Sequence, residues 1–147
     1  MNPLSAALVG AQFGLAALLL FTTRPSPAPL PLGLAAALLA ASVAVGMAAL
    51  AVNRPGNFNV RPEPKAGARL ITHGIYRRIR HPMYTAFLLL TLAAVAADAR
   101  AWRGAVWLAL AAVLYAKARR EERYLLQRHP GYAEYLRNTK RFLPGIA

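Results

Sequence analysis

Two long stretches of this chain carry no charge, and they decide what it can fold into. Leu4 to Thr22 runs for 19 residues and Leu30 to Val52 for 23. A helix rises about 1.5 Å per residue, so roughly 20 apolar residues cross the hydrocarbon layer of a bilayer. Both stretches reach that length. Two shorter uncharged runs follow, 16 residues at Pro82–Ala97 and 12 at Ala105–Ala116. Either alone is short enough to be a buried core helix. As a close pair around Asp98, Arg100 and Arg103, they read as a helical hairpin whose ends are extended by snorkelling side chains. The expected fold is all-α: a polytopic membrane protein with about four transmembrane helices, near 4–22, 30–52, 82–97 and 103–118, and a C-terminal helical tail. No Lys or Arg precedes Arg24, so the first stretch lacks the basic start of a secretory leader and reads as a span. With 147 residues the chain is expected to form a single domain.

Charge sets the expected orientation. The chain is 57% hydrophobic yet carries a net charge of +13, a combination that fits apolar blocks in lipid and basic blocks outside it. Arg24 stands alone after the first run, and seven basic residues lie between the second and third. Arg100 and Arg103 lie between the third and fourth, and eight follow the fourth. Four crossings put 15 of these charges on one face and 3 on the other. The positive-inside rule makes the rich face, and the N-terminus with it, cytoplasmic. Anionic lipid headgroups are simpler partners for such a face than nucleic acid.

Local punctuation is clear. Asn53 to Lys65 is rich in Pro, Asn and Gly and reads as a loop. His81-Pro82 reads as a helix start, because Pro suits the first helical turn and disfavours helical angles in the residue before it. The fourth helix is expected to continue past Lys117 to about Gln127, until His129-Pro130-Gly131 breaks it. Tyr132 to Thr139 suits one more short helix. Gly10 and Gly14 form a small-xxx-small pair that suits helix packing.

The chain lacks cysteine, which removes disulfides, thiolate metal sites and a Cys nucleophile. One His with two carboxylates at no metal-binding spacing gives no metal site, and no glycine-rich phosphate loop occurs. Two polar clusters remain: Gly74-Ile75-Tyr76 through Arg80-His81-Pro82-Met83-Tyr84, and Glu121-Glu122. Only five acidic residues exist, and two of them are adjacent where the fourth run emerges. They read either as salt-bridge partners of Arg119, Arg120 and Arg123 or as carboxylates that bind a cationic or hydroxyl-bearing ligand. Lys117 shares a helix face with Glu121. His81 reads either as a cap or as part of an anion site at a helix start. Tyr76 and Tyr84 read either as interfacial belt residues or as ligand contacts.

In sequence order, Leu70-Ile71-Thr72-His73-Gly74-Ile75-Tyr76 and Arg80-His81-Pro82-Met83-Tyr84 resemble the signature of the isoprenylcysteine carboxyl methyltransferase family and the related phospholipid methyltransferases. Glu121-Glu122, Leu125, Tyr132, Tyr135 and Arg141-Phe142-Leu143-Pro144 resemble that family's C-terminal signature. The resemblance spans Leu70 to Pro144, while the N-terminal half agrees in hydropathy alone. It implies a membrane enzyme that transfers a methyl group from S-adenosylmethionine to a lipophilic or small acceptor, with its active site facing the cytoplasm. It places the cofactor region at 67–84 and 117–144. Carried over, Ala68, Arg69, Leu70, Ile71, Tyr76, His81, Pro82, Met83, Tyr84 and Glu121 are cofactor-binding. Glu122 and His81 are the catalytic candidates for deprotonating an amine acceptor. Lys117 serves the substrate, at a position where the family pattern suggests arginine. The competing reading is a non-enzymatic membrane protein that binds anionic lipid through its basic face. A transporter fits less well, since no charge interrupts the apolar runs.

Overall fold

A computed structural model describes residues 2–53, 57, 59–63, 67 and 69–145. Among these residues there are five α-helices: α1 Pro3–Phe21, α2 Pro29–Val52, α3 Pro82–Ala97, α4 Ala101–Arg128 and α5 Tyr132–Asn138. A 3₁₀ turn, Gly74–Arg77, precedes α3. No strand occurs among the described residues. Proline opens α1, α2 and α3, where its missing N–H is no loss and its fixed φ suits the first turn. The Asn2 side chain caps α1 by accepting from the Leu4 amide at 3.1 Å. The fourth apolar run is part of one 28-residue helix, since nothing between Ala101 and Arg128 breaks it.

The first four helices alternate in direction. Asp98 meets the Arg24 amide and Arg103 meets Thr22 and Thr23 at one end, hereafter the far end. Lys117 meets Gln12 and Val60, and Glu122 meets Arg80 and His81, at the other, basic end. α2 packs along α3, α1 along α4, and the α3–α4 hairpin joins the two pairs. Leu19, Leu110 and Leu114 fill the α1–α4 core. The α2–α3 seam is made of small residues. Gly46 leaves room for a Cβ 3.7 Å from that of Ala86, and Ser42 donates to the Ala86 carbonyl at 2.7 Å. Small side chains let backbones approach, and in lipid that close packing is the main attraction between helices. Gly10 and Gly14 have no neighbouring atom within 4 Å of a built Cβ. The close approach expected there belongs to Ser42 and Gly46 instead.

Large apolar side chains point outward from α1, α2 and α4. Phe21 is 89% exposed and Leu30 82%, and Leu34, Met47 and Leu108 are also exposed. A soluble monomer rarely shows so much contiguous apolar surface. α1 and α2 are long and apolar enough to cross a membrane, and α3 is a shorter apolar helix.

The far end is tied by one buried cation. The Arg103 side chain is fully buried and donates to the Leu19 carbonyl at 2.6 Å, Thr23 Oγ1 at 2.7 Å and Thr22 Oγ1 at 3.0 Å. It also lies 3.5 Å from Asp98, which Arg100 engages at 2.5 Å and the Arg24 amide at 3.0 Å. Arg103 thus caps the carboxyl end of α1, where free carbonyls and the helix dipole favour a cation. The expectation of a snorkelling side chain is corrected here for Arg103. Those carbonyls and hydroxyls outcompete water for its guanidinium, so it turns inward.

Candidate active site

At the basic end, α3, α4, α5 and the segments before α3 enclose a cleft of about 140 Å³. Several sequence features build it. Gly74 has φ +59°, and a Cβ there would stand 2.8 Å from Val52. Glycine therefore lets the 3₁₀ turn fold against the end of α2. That turn buries Tyr76, whose hydroxyl accepts from Asn53 at 3.1 Å and whose carbonyl accepts from the Tyr135 hydroxyl at 2.6 Å. Asn57 accepts from the Arg69 amide at 2.8 Å and donates to the Arg69 carbonyl at 2.9 Å, which fixes the strip that leads to Leu70 and Ile71.

The C-terminal segment closes the other side. The Arg80 amide donates to the Lys140 carbonyl at 2.8 Å and the His81 amide to the Arg141 carbonyl at 3.1 Å. Thr85 donates to the Phe142 carbonyl at 2.8 Å. The His81 ring stacks on Tyr84 with centroids 5.3 Å apart, and Phe142 lies 6.1 Å from it.

Of the residues expected at a cofactor site, Arg69, Leu70, Ile71, Tyr76, His81, Pro82, Met83, Tyr84 and Glu121 all line this cleft. Ala68 lies outside the described residues. Asn53, Asn57, Asn59, Arg61, Arg80, Leu125, His129, Tyr132 and Tyr135 complete the lining. The asparagines had read only as loop formers and His129 only as a helix breaker. Nothing local in the sequence tells such residues from ordinary loop residues. Leu125, Tyr132 and Tyr135 had appeared in the resemblance without a role.

The two adjacent glutamates part company. Glu122 is buried and accepts from Arg80 at 2.8 Å, Arg141 at 2.6 Å and His81 Nε2 at 3.2 Å. Burial alone would push its carboxyl up. The hydrogen bonds from His81, Arg141 and Arg80 outweigh that and hold it far below the ordinary carboxylate range. Glu122 is not among the cleft-lining residues. Glu121 is. It accepts from the Tyr84 hydroxyl at 3.1 Å and has His81 Nδ1 at 3.7 Å. Burial pushes its carboxyl up, and His81, Tyr84 and Lys117 offset this in part. Two neighbouring carboxylates are thus driven apart, one neutralised by arginines and one left facing a cavity. Burial also raises Tyr76, Tyr132 and Tyr135, so at neutral pH their phenols keep their protons.

Lys117 is buried beneath the cleft and is not part of its lining. Its ammonium donates to Gln12 and, at 3.0 Å, to the Val60 carbonyl, and it stands 5.3 Å over the Tyr84 ring. An ammonium has three donors, and these contacts use two.

Comparison with known proteins gives one result of weight. The model of the isoprenylcysteine carboxyl methyltransferase (ICMT) family matches residues 34–127, well over half of the chain. The match starts within α2 and ends near the close of α4, so it covers the cleft's Tyr76, His81 and Glu121 and leaves out α1 and α5. No curated protein matches the chain.

Proposed function

This chain belongs to the isoprenylcysteine carboxyl methyltransferase family of integral membrane methyltransferases, and from that premise we propose that the basic-end cleft binds S-adenosylmethionine and serves methyl transfer to a lipophilic acceptor. One observation carries the reading. Residues from three separate stretches, around 69–71, 76–84 and 121, converge on a single polar cleft at the end of an apolar bundle.

The donor set suits the cofactor. Glu121 faces the cavity with no arginine bound to it among the described residues, which fits a ligand that carries an ammonium and a sulfonium. Arg61 and Arg69 line the same cleft and suit a carboxylate. Tyr76, His129, Tyr132 and Tyr135 line the cleft and offer flat faces for a nucleoside base. When bound, S-adenosylmethionine supplies an electrophilic methyl on a positively charged sulfur. The protein's part is to align the acceptor behind that methyl and to keep water out while the charge disperses.

His81 and Tyr84 position Glu121. A carboxylate or thiolate acceptor needs no base. An amine acceptor sheds a proton, and His81, inside the cleft, takes it. Glu122 is assigned to holding Arg80, His81 and Arg141 in place rather than to proton transfer, because its two oxygens are occupied by cations. Lys117, held by Gln12 and the Val60 carbonyl beneath the Tyr84 ring and outside the cleft lining, is assigned to supporting Tyr84 and Glu121 rather than to direct contact with the acceptor. Of the 18 basic residues, 15 belong to the two sequence stretches that flank the apolar runs on the cleft side, and under the positive-inside rule this supports a cytoplasmic orientation. The four helices α1 to α4 then make four crossings of one domain.

Membranes that contain the protein, incubated with methyl-labelled S-adenosylmethionine, are expected to accumulate label in the organic-extractable fraction. Label confined to water-soluble products, or none above membranes without the protein, would contradict the lipophilic acceptor or the activity respectively.

A further inference from the structure

A second recess lies on the opposite side of α4, away from the cleft. Leu4 and Leu8 of α1 face Tyr115, Ala116, Arg119, Arg120 and Arg123 of α4 across a shallow groove of about 260 Å³. We propose that this groove holds the headgroup phosphate of an anionic glycerophospholipid, with an acyl chain laid along the apolar part of α4. The site is separate from the methyl-transfer cleft and does not depend on that reading.

Three observations point to this occupant. Leu108, Ala112, Tyr115, Ala116, Arg119 and Arg123 are exposed and form one stripe along α4. The stripe changes from apolar to basic within one turn, and a phospholipid makes the same change between its chains and its phosphate. A soluble acidic protein would have no use for the apolar half. Next, Arg120 Nε is buried and has no hydrogen-bond partner among the described residues. Among the described residues its other end reaches the Tyr124 hydroxyl at 3.3 Å and that ring at 5.8 Å. That N–H is closed to solvent, so what Arg120 offers an occupant of the groove is guanidinium charge that no acceptor claims at Nε among the described residues. Last, the charge is unbalanced. Glu63, which Ser5 engages, is the carboxylate whose field reaches Arg120. It offsets one of the three arginines.

The test is native mass spectrometry of the full chain released from neutral detergent that contains equal amounts of phosphatidylglycerol and phosphatidylcholine. The wild type is expected to retain one phosphatidylglycerol at least tenfold over phosphatidylcholine. R119Q/R120Q/R123Q should lose that preference. R77Q/R78Q/R137Q, which removes the same charge from exposed positions elsewhere, should keep it. Ala116→Trp fills the apolar half at an exposed site without touching charge, and it should lose retention as well, even if the triple variant folds poorly. Equal behaviour of the two triple variants would overturn the proposal in favour of bulk charge. Retention unchanged by Ala116→Trp would also overturn it. Millimolar glycerol phosphate is expected to leave the lipid bound. Full displacement would make the groove a plain phosphate site and contradict the lipid assignment.

Discussion

The two ends of the bundle use the same ion-pair chemistry for different ends. At the far end Arg100 and Arg103 together neutralise the single carboxylate of Asp98, and Arg103 caps α1. At the basic end Glu122 plays the part of Asp98 and gathers Arg80, Arg141 and His81. Its neighbour Glu121 is left out of that set and faces a cleft. The contrast teaches that an ion cluster alone does not mark a site. A carboxylate that the same cluster leaves unneutralised does.

The largest test of the contrast falls on the far end. Arg103→Leu leaves the α1 carbonyls and threonines without their donor and weakens the hold on Asp98. Loss of one partner from a buried polar cluster costs about 3–5 kcal/mol, so detergent melting should show a severe loss of stability with no altered ligand specificity. Glu122→Gln should follow, at about 2 kcal/mol, because two arginines lose a charged acceptor and keep a neutral one. A stable Glu122→Gln protein that has lost only catalysis would break the comparison and return Glu122 to the role of a base.

Acid sharpens the same contrast. The ordinary values are 3.8 for Asp98 and 4.5 for Glu122; Asp98, held down by Arg100, sits at about 2, and Glu122 is lowered too. A carboxylate lowered on folding stabilises the fold above its unfolded value and loses that contribution as pH falls through its folded value. Glu121 is raised, so its contribution is present at low pH and fades as pH rises through its folded value. Melting temperature should therefore fall as pH drops below 4.5. Glu122→Gln should flatten that fall, and Glu121→Gln should steepen it slightly.

Much of the fold was legible because prolines and charge-free runs punctuate the chain. The expected spans 4–22, 30–52 and 82–97 lie within a residue of α1, α2 and α3, and the continuation of the fourth run past Lys117 is present. The division of labour between Glu121 and Glu122 was not legible. It depends on Arg80 and Arg141, which are 61 residues apart in sequence and meet only when the C-terminal segment pairs with Ile79 to His81. The inward turn of Arg103 and the Ser42–Gly46 seam were hidden for the same reason. Each is decided by a partner helix, and the local pattern of charges and small residues fits either outcome.

The most direct measurement is equilibrium binding of labelled S-adenosylmethionine to purified wild type and Glu121→Gln, with folding checked by melting. The account predicts saturable wild-type binding, weakened at least tenfold in Glu121→Gln, which is about 1.4 kcal/mol, while the melting temperatures stay close. Equal binding by the two proteins, or no binding by a folded wild type, would contradict it.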